Sequence, residues 1–295
     1  QFQGQKYDYM IVNPPFGVSW KSEKEFVENE KGDPDGRFFV GTPRTSDGSL
    51  LFLQHLIHKM EPSGSRIGIV FNGSPLFTGD AGSGESEIRK WIIENDWLES
   101  VIQLPDRMFF NTGITTYLWI VTNNKNTKRK GKVQLVDGSK FFVNMRKNLG
   151  DKGKEISDEN RQEILETYLK FEENDVCKIY DNSFFGYTKV QIEQPLVVDA
   201  KIKKDKKVNT KPDPKLRVHE RIELSENVDE YYEREVKPHI QDSWMDRSKD
   251  KIGYEINFTK YFYNFTPLRS LEVISQDLKS LDDEIKHLSM EMTGE

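Results

Sequence analysis

Near the start of the chain a four-residue apolar run, Tyr9-Met10-Ile11-Val12, leads straight into Asn13-Pro14-Pro15-Phe16. The run is short and continuously apolar, which reads as a buried parallel strand. Two consecutive prolines end it, because neither has a backbone N–H to offer a ladder and both fix φ. In open α/β sheets ligands bind at the carboxyl ends of strands, so the tetrapeptide stands where a site is expected. The stiff turn leaves carbonyl oxygens unpaired, Asn13 adds another acceptor and Phe16 a flat face. Together these suit a planar group bearing an exocyclic amine, such as a nucleobase. A Pro-Pro pair on its own equally well serves only to end a strand.

The segments that follow alternate. A polar, Gly-rich stretch over 18–46 is expected to be irregular. Leu50, Leu53, Leu56, Ile57 and Met60 recur at helical spacing until Pro62-Ser63-Gly64. Residues 66–71 form a second apolar strand, broken sharply by Asn72-Gly73-Ser74-Pro75. A small-residue loop over 80–84 precedes a helix with Glu85 and Glu87 in its first turn, where acidic groups suit the helix dipole and disfavour phosphate. Residues 98–104 and 114–122 read as two more strands. This pattern predicts an α/β fold, the second half of a doubly wound, Rossmann-like sheet. A nucleotide-type cofactor needs a glycine-rich turn after a first strand. Phe184-Phe185-Gly186-Tyr187 follows no apolar strand and 148–153 is charged and loop-like, so neither qualifies. The chain is therefore expected to be truncated at its N-terminus. Three regions are expected: 1–149 as the catalytic half, 150–265 as a mainly helical or irregular extension, and 266–295 as a terminal helix.

Composition narrows the function. No apolar stretch approaches the roughly 20 residues that span a bilayer, and the first residues do not form a signal peptide. The single cysteine, Cys177, forms no internal disulfide and suits a reducing cytoplasm. A net charge of −6 argues against holding DNA unaided through a broad basic face. Positive charge is local: Lys125, Lys128, Arg129, Lys130 and Lys132 form one run, and six lysines over 201–211 form another. Each reads either as a contact to phosphates or as a solvated loop. His55 and His58 lie three apart with no cysteine or third histidine nearby, so no metal site is expected. Leu271, Ile274, Leu278, Leu281, Ile285, Leu288 and Met292 alternate at spacings of three and four, a coiled-coil seam that predicts a partner helix. The alternative is an amphipathic helix packed on its own domain.

Six stretches carry a family resemblance: 7–17 (YDYMIVNPPFG), 46–55 (SDGSLLFLQH), 72–86 (NGSPLFTGDAGSGES), 104–119 (LPDRMFFNTGITTYLW), 129–137 and 251–265 (KIGYEINFTKYFYNF). The chain resembles the C-terminal part of the modification subunit of type I restriction-modification systems, an adenine-specific DNA methyltransferase. The tetrapeptide alone also occurs in enzymes that methylate RNA or glutamine, but the terminal segments are not shared with them. The resemblance implies an S-adenosylmethionine-dependent enzyme, bacterial or archaeal, acting on duplex DNA with a specificity subunit, a restriction subunit and a second modification subunit. It implies that the adenine is flipped out and that Asn13 and the Pro14 carbonyl accept hydrogen bonds from N6, which attacks the sulfonium methyl in line. Pro15 completes the turn, Phe16 stacks on one face of the base, and Phe109, with Phe110 behind it, supports the other. The seam helix would dock on the specificity subunit. Most of the cofactor site is expected outside this chain, so the isolated fragment is expected to be inactive. The competing expectation is a non-catalytic interaction module of the same complex.

Overall fold

The computed structural model describes residues 4–110, 112–198, 201–202, 211–263 and 269–293, which divide into two compact units, Gln1–Tyr261 and Phe262–Glu295. The first unit is built on strands β1 (Tyr9–Val12), β2 (Arg66–Asn72), β3 (Leu98–Gln103), β4 (Thr116–Thr122) and β5 (Lys132–Asp137). A separate antiparallel hairpin follows, β6 (Val143–Leu149) and β7 (Lys152–Glu155), and β8 (Cys177–Asp181) then returns to the main sheet. The sheet order is β1-β2-β4-β3-β5-β8. β1 runs parallel to β2 and β3 parallel to β5, while β4 lies antiparallel between β2 and β3. The α/β sheet is thus of the expected kind.

Alternation along β2 puts Ile67, Ile69 and Phe71 fully inside, with Phe71 edge-on to Trp119 of β4 at 5.3 Å. Helix α1 (Lys24–Lys31) is followed by α2 (Ser49–His58), which buries Leu50, Leu53 and Ile57, and by the single turn α3 (Ser74–Phe77). α4 (Gly84–Glu94) buries Ile88, Ile92 and Ile93, and the side chain of Ser83 caps its first turn. Glu85 and Glu87 stand in that turn, as the dipole argument anticipates.

Three expectations need correction. β1 is parallel but not buried: Met10 faces inward while Tyr9 and Ile11 are 78 and 91 % exposed. Within this chain β1 has one sheet neighbour, β2, and no described element covers the face that carries Tyr9 and Ile11. The stretch over 18–46 is not wholly irregular, because α1 forms within it. Val27 of α1 joins Trp20, Phe38 and Leu51 in a small cluster that stabilises a helix otherwise made of charge. The region after 150 holds α5 (Asp158–Lys170) but is also rich in strands. β8 completes the main sheet, and β9 (Gly186–Glu193) is the centre of a second one. After the short pair β10 (Val197–Val198) and β11 (Lys201–Ile202), β9 is joined by β12 (Val218–Glu223), β13 (Trp244–Met245) and β14 (Lys251–Tyr254), all antiparallel. Charged residues within these strands, such as Lys189, Glu193, Glu220 and Arg221, hide their period of two. Short helices α6 (Val228–Tyr231) and α7 (Phe258–Tyr261) complete the unit. Cys177, unremarkable in sequence, is fully buried beside Ile102, Val136 and Ile164.

The second unit is the helix α8 (Leu271–Thr293). Leu271, Leu278, Leu281, Ile285 and Leu288 are exposed and Ile274 is half-buried, while the side chain of Met292 lies outside the described residues. Among the described residues no helix is long and apolar enough to cross a membrane.

Arg89 of α4 ties the two sheets of the first unit together. It is 1 % exposed. Its guanidinium donates to the carbonyls of Tyr254 (2.6 Å), Pro75 (3.1 Å), Thr78 (2.7 Å) and Gly79 (3.2 Å). Burial pulls its pKa down to about 10, so the group stays charged at neutral pH. Replacement by methionine keeps the volume but orphans four buried carbonyls. Arg89→Met should cost about 3–5 kcal/mol in a urea unfolding experiment, whereas a loss below about 1 kcal/mol would show that the carbonyls find other partners.

A second expectation concerns pH. Nη1 of Arg37 lies 3.1 Å from Nδ1 of His55. A guanidinium only donates, so Nδ1 accepts and the ring is neutral. Burial, followed by the charges of Arg37, Lys59 and His58, holds the pKa of His55 below 6.5. The unfolded chain therefore binds this proton more readily, and stability present above about pH 6.5 is lost as pH falls through the folded value. Thermal unfolding between pH 7.5 and 5 should show a smaller loss in His55→Gln than in the wild type.

Candidate functional site

The carboxyl ends of β1 and β2 lie side by side, since Val12 is in register with Ile69. Asn13 leaves the first strand and Asn72 ends the second. Between them and the loop before β4 opens a cleft of about 730 Å³, lined by Asn13, Pro14, Pro15, Phe16, Gly17, Asn72, Phe109, Phe110, Thr112 and Ile114. That volume is within the range of small-ligand sites. Phe16 and Phe109, placed at the site by the sequence reading, do share one cleft, with ring centroids 6.4 Å apart and planes at 82°. One ring presents its edge to the other, so a flat guest between them stacks on one and meets the edge of the second unless a ring turns. Phe110 also lines the cleft and is 62 % exposed.

Among the described residues the side chain of Asn13 makes no hydrogen bond and the carbonyls of Asn13 and Pro14 accept none, while the turn at Phe16 and Gly17 brings the Pro15 carbonyl to Val18 N–H. Free acceptors at Asn13 and Pro14 thus stand among the residues that line the cleft. Gly17 then turns the chain through φ +62°, a left-handed conformation that favours glycine. Beyond it the strand exit is clamped. Trp20 N–H donates to the carbonyl of Thr45 (3.0 Å), Trp20 Nε1 to that of Arg44 (2.9 Å), and Gly48 N–H to that of Val18 (2.9 Å). The clamp is fixed to α4 in turn, for Arg44 N–H donates to Glu85 Oε1 (2.9 Å). Gly84 permits that approach, because a Cβ there would stand 1.8 Å from the carbonyl oxygen of Thr42.

Asn72 was missed by sequence reasoning. Its Oδ1 accepts from Ser74 N–H (3.2 Å), and Ser74 Oγ accepts from Nη2 of Arg44 (2.8 Å). The side-chain amide is thereby oriented at the cleft wall. The signal was present: an Asn directly after a second apolar strand parallel to the first, at the same edge of the sheet. None of the ten lining residues is acidic, basic, Cys or Tyr. Such a cleft can hold a planar polar group and accept its N–H bonds, but it supplies no group that titrates near neutrality.

The basic run at 125–132 does not join the site. β4 runs against β2, with Asn72 opposite Thr116 and Arg66 opposite Thr122. The run follows Thr122 and so stands at the far end of the sheet, about 20 Å away at the rise of a strand. Two of its five basic residues turn inward. Lys125 is buried and donates to Asp96 (2.6 Å) and to the carbonyl of Lys132 (2.7 Å). Arg129 is buried against the rings of Tyr168 and Phe171 and donates to Gln134 Oε1 (2.8 Å). Lys132 pairs with Asp181 (2.9 Å), which leaves Lys128 and Lys130 exposed without an ion-pair partner among the described residues. The run therefore does not line the cleft. Residues 203–210 of the second basic run lie outside the described residues.

Comparison with known proteins places these features in a family. The chain is 27% identical over 198 residues to the type I restriction enzyme MjaIX methylase subunit of Methanocaldococcus jannaschii, covering 64% of this chain and 32% of that protein. It is 35% identical over 133 residues to the HindI methylase subunit of Haemophilus influenzae, covering 45% of this chain and 28% of that one. A crystal structure of the type I restriction-modification system methyltransferase subunit from Streptococcus thermophilus superposes with a TM-score of 0.51 at 26% identity, over 61% of this chain and 35% of the other. The chain therefore spans about a third of the length of the relatives it matches. The sequence profile of the N-6 DNA methylase family matches residues 1–208, more than two thirds of the chain. With an Asn-Pro-Pro-Phe turn at the lip of a parallel strand pair and a profile match of that extent, the chain belongs to the N-6 DNA methylase family.

Proposed function

We propose that the chain is the base-holding half of an adenine-N6 DNA methyltransferase, the modification subunit of a type I restriction-modification complex. The observation that carries this reading is the pair of unpartnered acceptors at Asn13 and Pro14 beside the ring of Phe16. Adenine flipped out of duplex DNA presents two N6 hydrogens and a π-face. Asn13 Oδ1 and the Pro14 carbonyl accept the hydrogens and keep lone-pair density on N6, the atom that takes the methyl group. Phe16 stacks on the base, worth about 1–3 kcal/mol, and Phe109 meets it from the side. Asn72, its oxygen engaged by Ser74, turns its amide N–H bonds towards the ring nitrogens.

The methyl donor is S-adenosylmethionine. The glycines of the described residues do not form the turn expected for its nucleoside part: Gly79, Gly82 and Gly84 lead into α4 but follow the single turn α3 rather than a strand, and Glu85 and Glu87 stand in the first turn of that helix. Gly150 and Gly153 belong to the β6–β7 hairpin and Gly186 opens β9. No residue of this chain is assigned to the donor. The exposed seam of α8 docks on a helix of the specificity subunit, since an apolar stripe of five exposed leucines and isoleucines is a costly surface in water.

Asn13→Ala in the full methyltransferase complex should lower kcat by about 10²–10³, the scale of removing one hydrogen-bond partner from a transition state, with the KM for S-adenosylmethionine unchanged. Near-wild-type turnover would remove Asn13 from the chemistry. Because nothing lining the cleft titrates near neutrality, the single-turnover rate should be flat from about pH 6.5 to 8.5, whereas a bell-shaped profile would demand an acid or base from elsewhere. For the helix, Leu278→Glu with Leu281→Glu should abolish co-purification with the specificity subunit and leave the unfolding of the first unit unchanged. Normal assembly by that double variant would make α8 an internal packing element.

A further inference from the structure

The β6–β7 hairpin has no evident structural reason to exist. Six of the seven residues of β6 are exposed, so neither face of the strand contributes to a core. A lone two-stranded hairpin is marginal in water, and this one is held instead by the loop that carries Phe109 and Phe110. The carbonyl of Arg107 accepts from both Gly153 N–H (3.1 Å) and Lys154 N–H (3.3 Å), and Arg107 Nε donates to the carbonyl of Asp151 (3.3 Å). Lys154 pairs with Asp106, and Nζ of Lys152 stands 5.4 Å from the centroid of Phe110. To make these bonds Arg107 adopts φ +56°, an unusual conformation for a residue with a side chain.

Topology brings the hairpin to the catalytic edge. Phe71, Tyr117, Gln103 and Asp137 form one transverse row across β2, β4, β3 and β5. That row lies next to Asn72, at the end of the sheet where the cleft opens. Five residues separate Asp137 from β6. From Lys140 to Glu155 the segment carries five basic residues against Asp151 and Glu155. Ladder pairing is interrupted between Asn144 and Leu149, and Arg146 and Lys147 fall in that irregular stretch. Both are exposed, and neither has a carboxylate partner among the described residues. Unpaired guanidinium and ammonium groups, aimed outward by a bulge beside a base-sized cleft, match the charge and the position of a sugar-phosphate backbone.

We propose that the β6–β7 hairpin is a phosphate clamp, with Arg146 and Lys147 gripping the DNA backbone next to the base held between Phe16 and Phe109. The clamp rests on the reading of the cleft as an adenine site. It takes over the role that sequence alone suggests for the run at 125–132, which stands at the opposite end of the sheet.

The test uses the assembled methyltransferase. R146A/K147A should raise the KM for DNA severalfold and leave both kcat and the KM for S-adenosylmethionine unchanged. It should also flatten the slope of log binding constant against log salt by about 1.8, which is 0.9 for each phosphate no longer neutralised. K128A/K130A, at the far end of the sheet, should move none of these. An unchanged slope and KM in R146A/K147A, with wild-type methylation intact, overturn the clamp alone. A wild-type complex that binds DNA with the hairpin-dependent slope but leaves adenine unmethylated supports the clamp and overturns the chemistry assigned to the cleft.

Discussion

Arg89 is charged, almost wholly buried and has no carboxylate in salt-bridge range among the described residues. Four of its N–H donors meet carbonyls instead, three from the segment that follows β2 and one from the end of β14. A guanidinium suits this task because its donors are held in a fixed plane, which a lysine does not provide. The consequence reaches the cleft. Pro75, Thr78 and Gly79 begin just after Asn72, so the position of that side chain depends on a loop anchored by Arg89. Ser86, one turn earlier on the same helix, accepts from Tyr254 N–H (3.0 Å) and fixes the same strand. Helix α4 is in this way the common support of the cleft lip, the clamp at residues 44–48 and the second sheet.

On the proposed reading the cleft works by subtraction. Two prolines remove donors, the turn leaves carbonyls free, and no ionisable group stands near enough to compete for the guest. Methyl transfer to an amine needs the nitrogen lone pair oriented, and an amine whose two hydrogens are held by two acceptors has one direction left for it. Positioning of this kind supplies rate without a proton donor or a covalent intermediate. The perpendicular setting of Phe16 and Phe109 fits the same logic, since an edge contact limits sliding of a base that a second parallel ring would leave free.

Much of this was legible from residues alone where a pattern is local. The strand at 9–12, the turn at 13–16, the helix ending before Pro62 and the strands at 66–72, 98–103 and 116–122 follow from periodicity and breakers. What the sequence left unread depends on which neighbours fold beside a segment. An apolar run does not say that only one of its faces is covered, so β1 looked interior. Strands β9 and β12 carry lysine, arginine and glutamate, which masks them as polar extension. Lys125 looks solvated until Asp96, twenty-nine residues earlier, is brought against it. Asn72 carries no unusual neighbours and becomes visible only when β2 is seen to run parallel to β1.

The two basic segments show how topology, rather than composition, decides which charge meets a ligand. By count they are alike, with five basic residues each. One follows β4, which runs down the sheet away from the cleft, and the other follows β5, which runs back up towards it. The first commits Lys125 and Arg129 to buried contacts that close the base of the sheet around Asp96, Gln134 and Tyr168. The second keeps Arg146 and Lys147 free on a hairpin that nothing in the core requires. With a net charge of −6 the chain offers little general attraction for a polyanion, so the few cations it exposes beside the cleft carry disproportionate weight in where such a partner settles. On the proposed reading, the basic hairpin beside the cleft favours approach of the DNA backbone at that edge of the sheet.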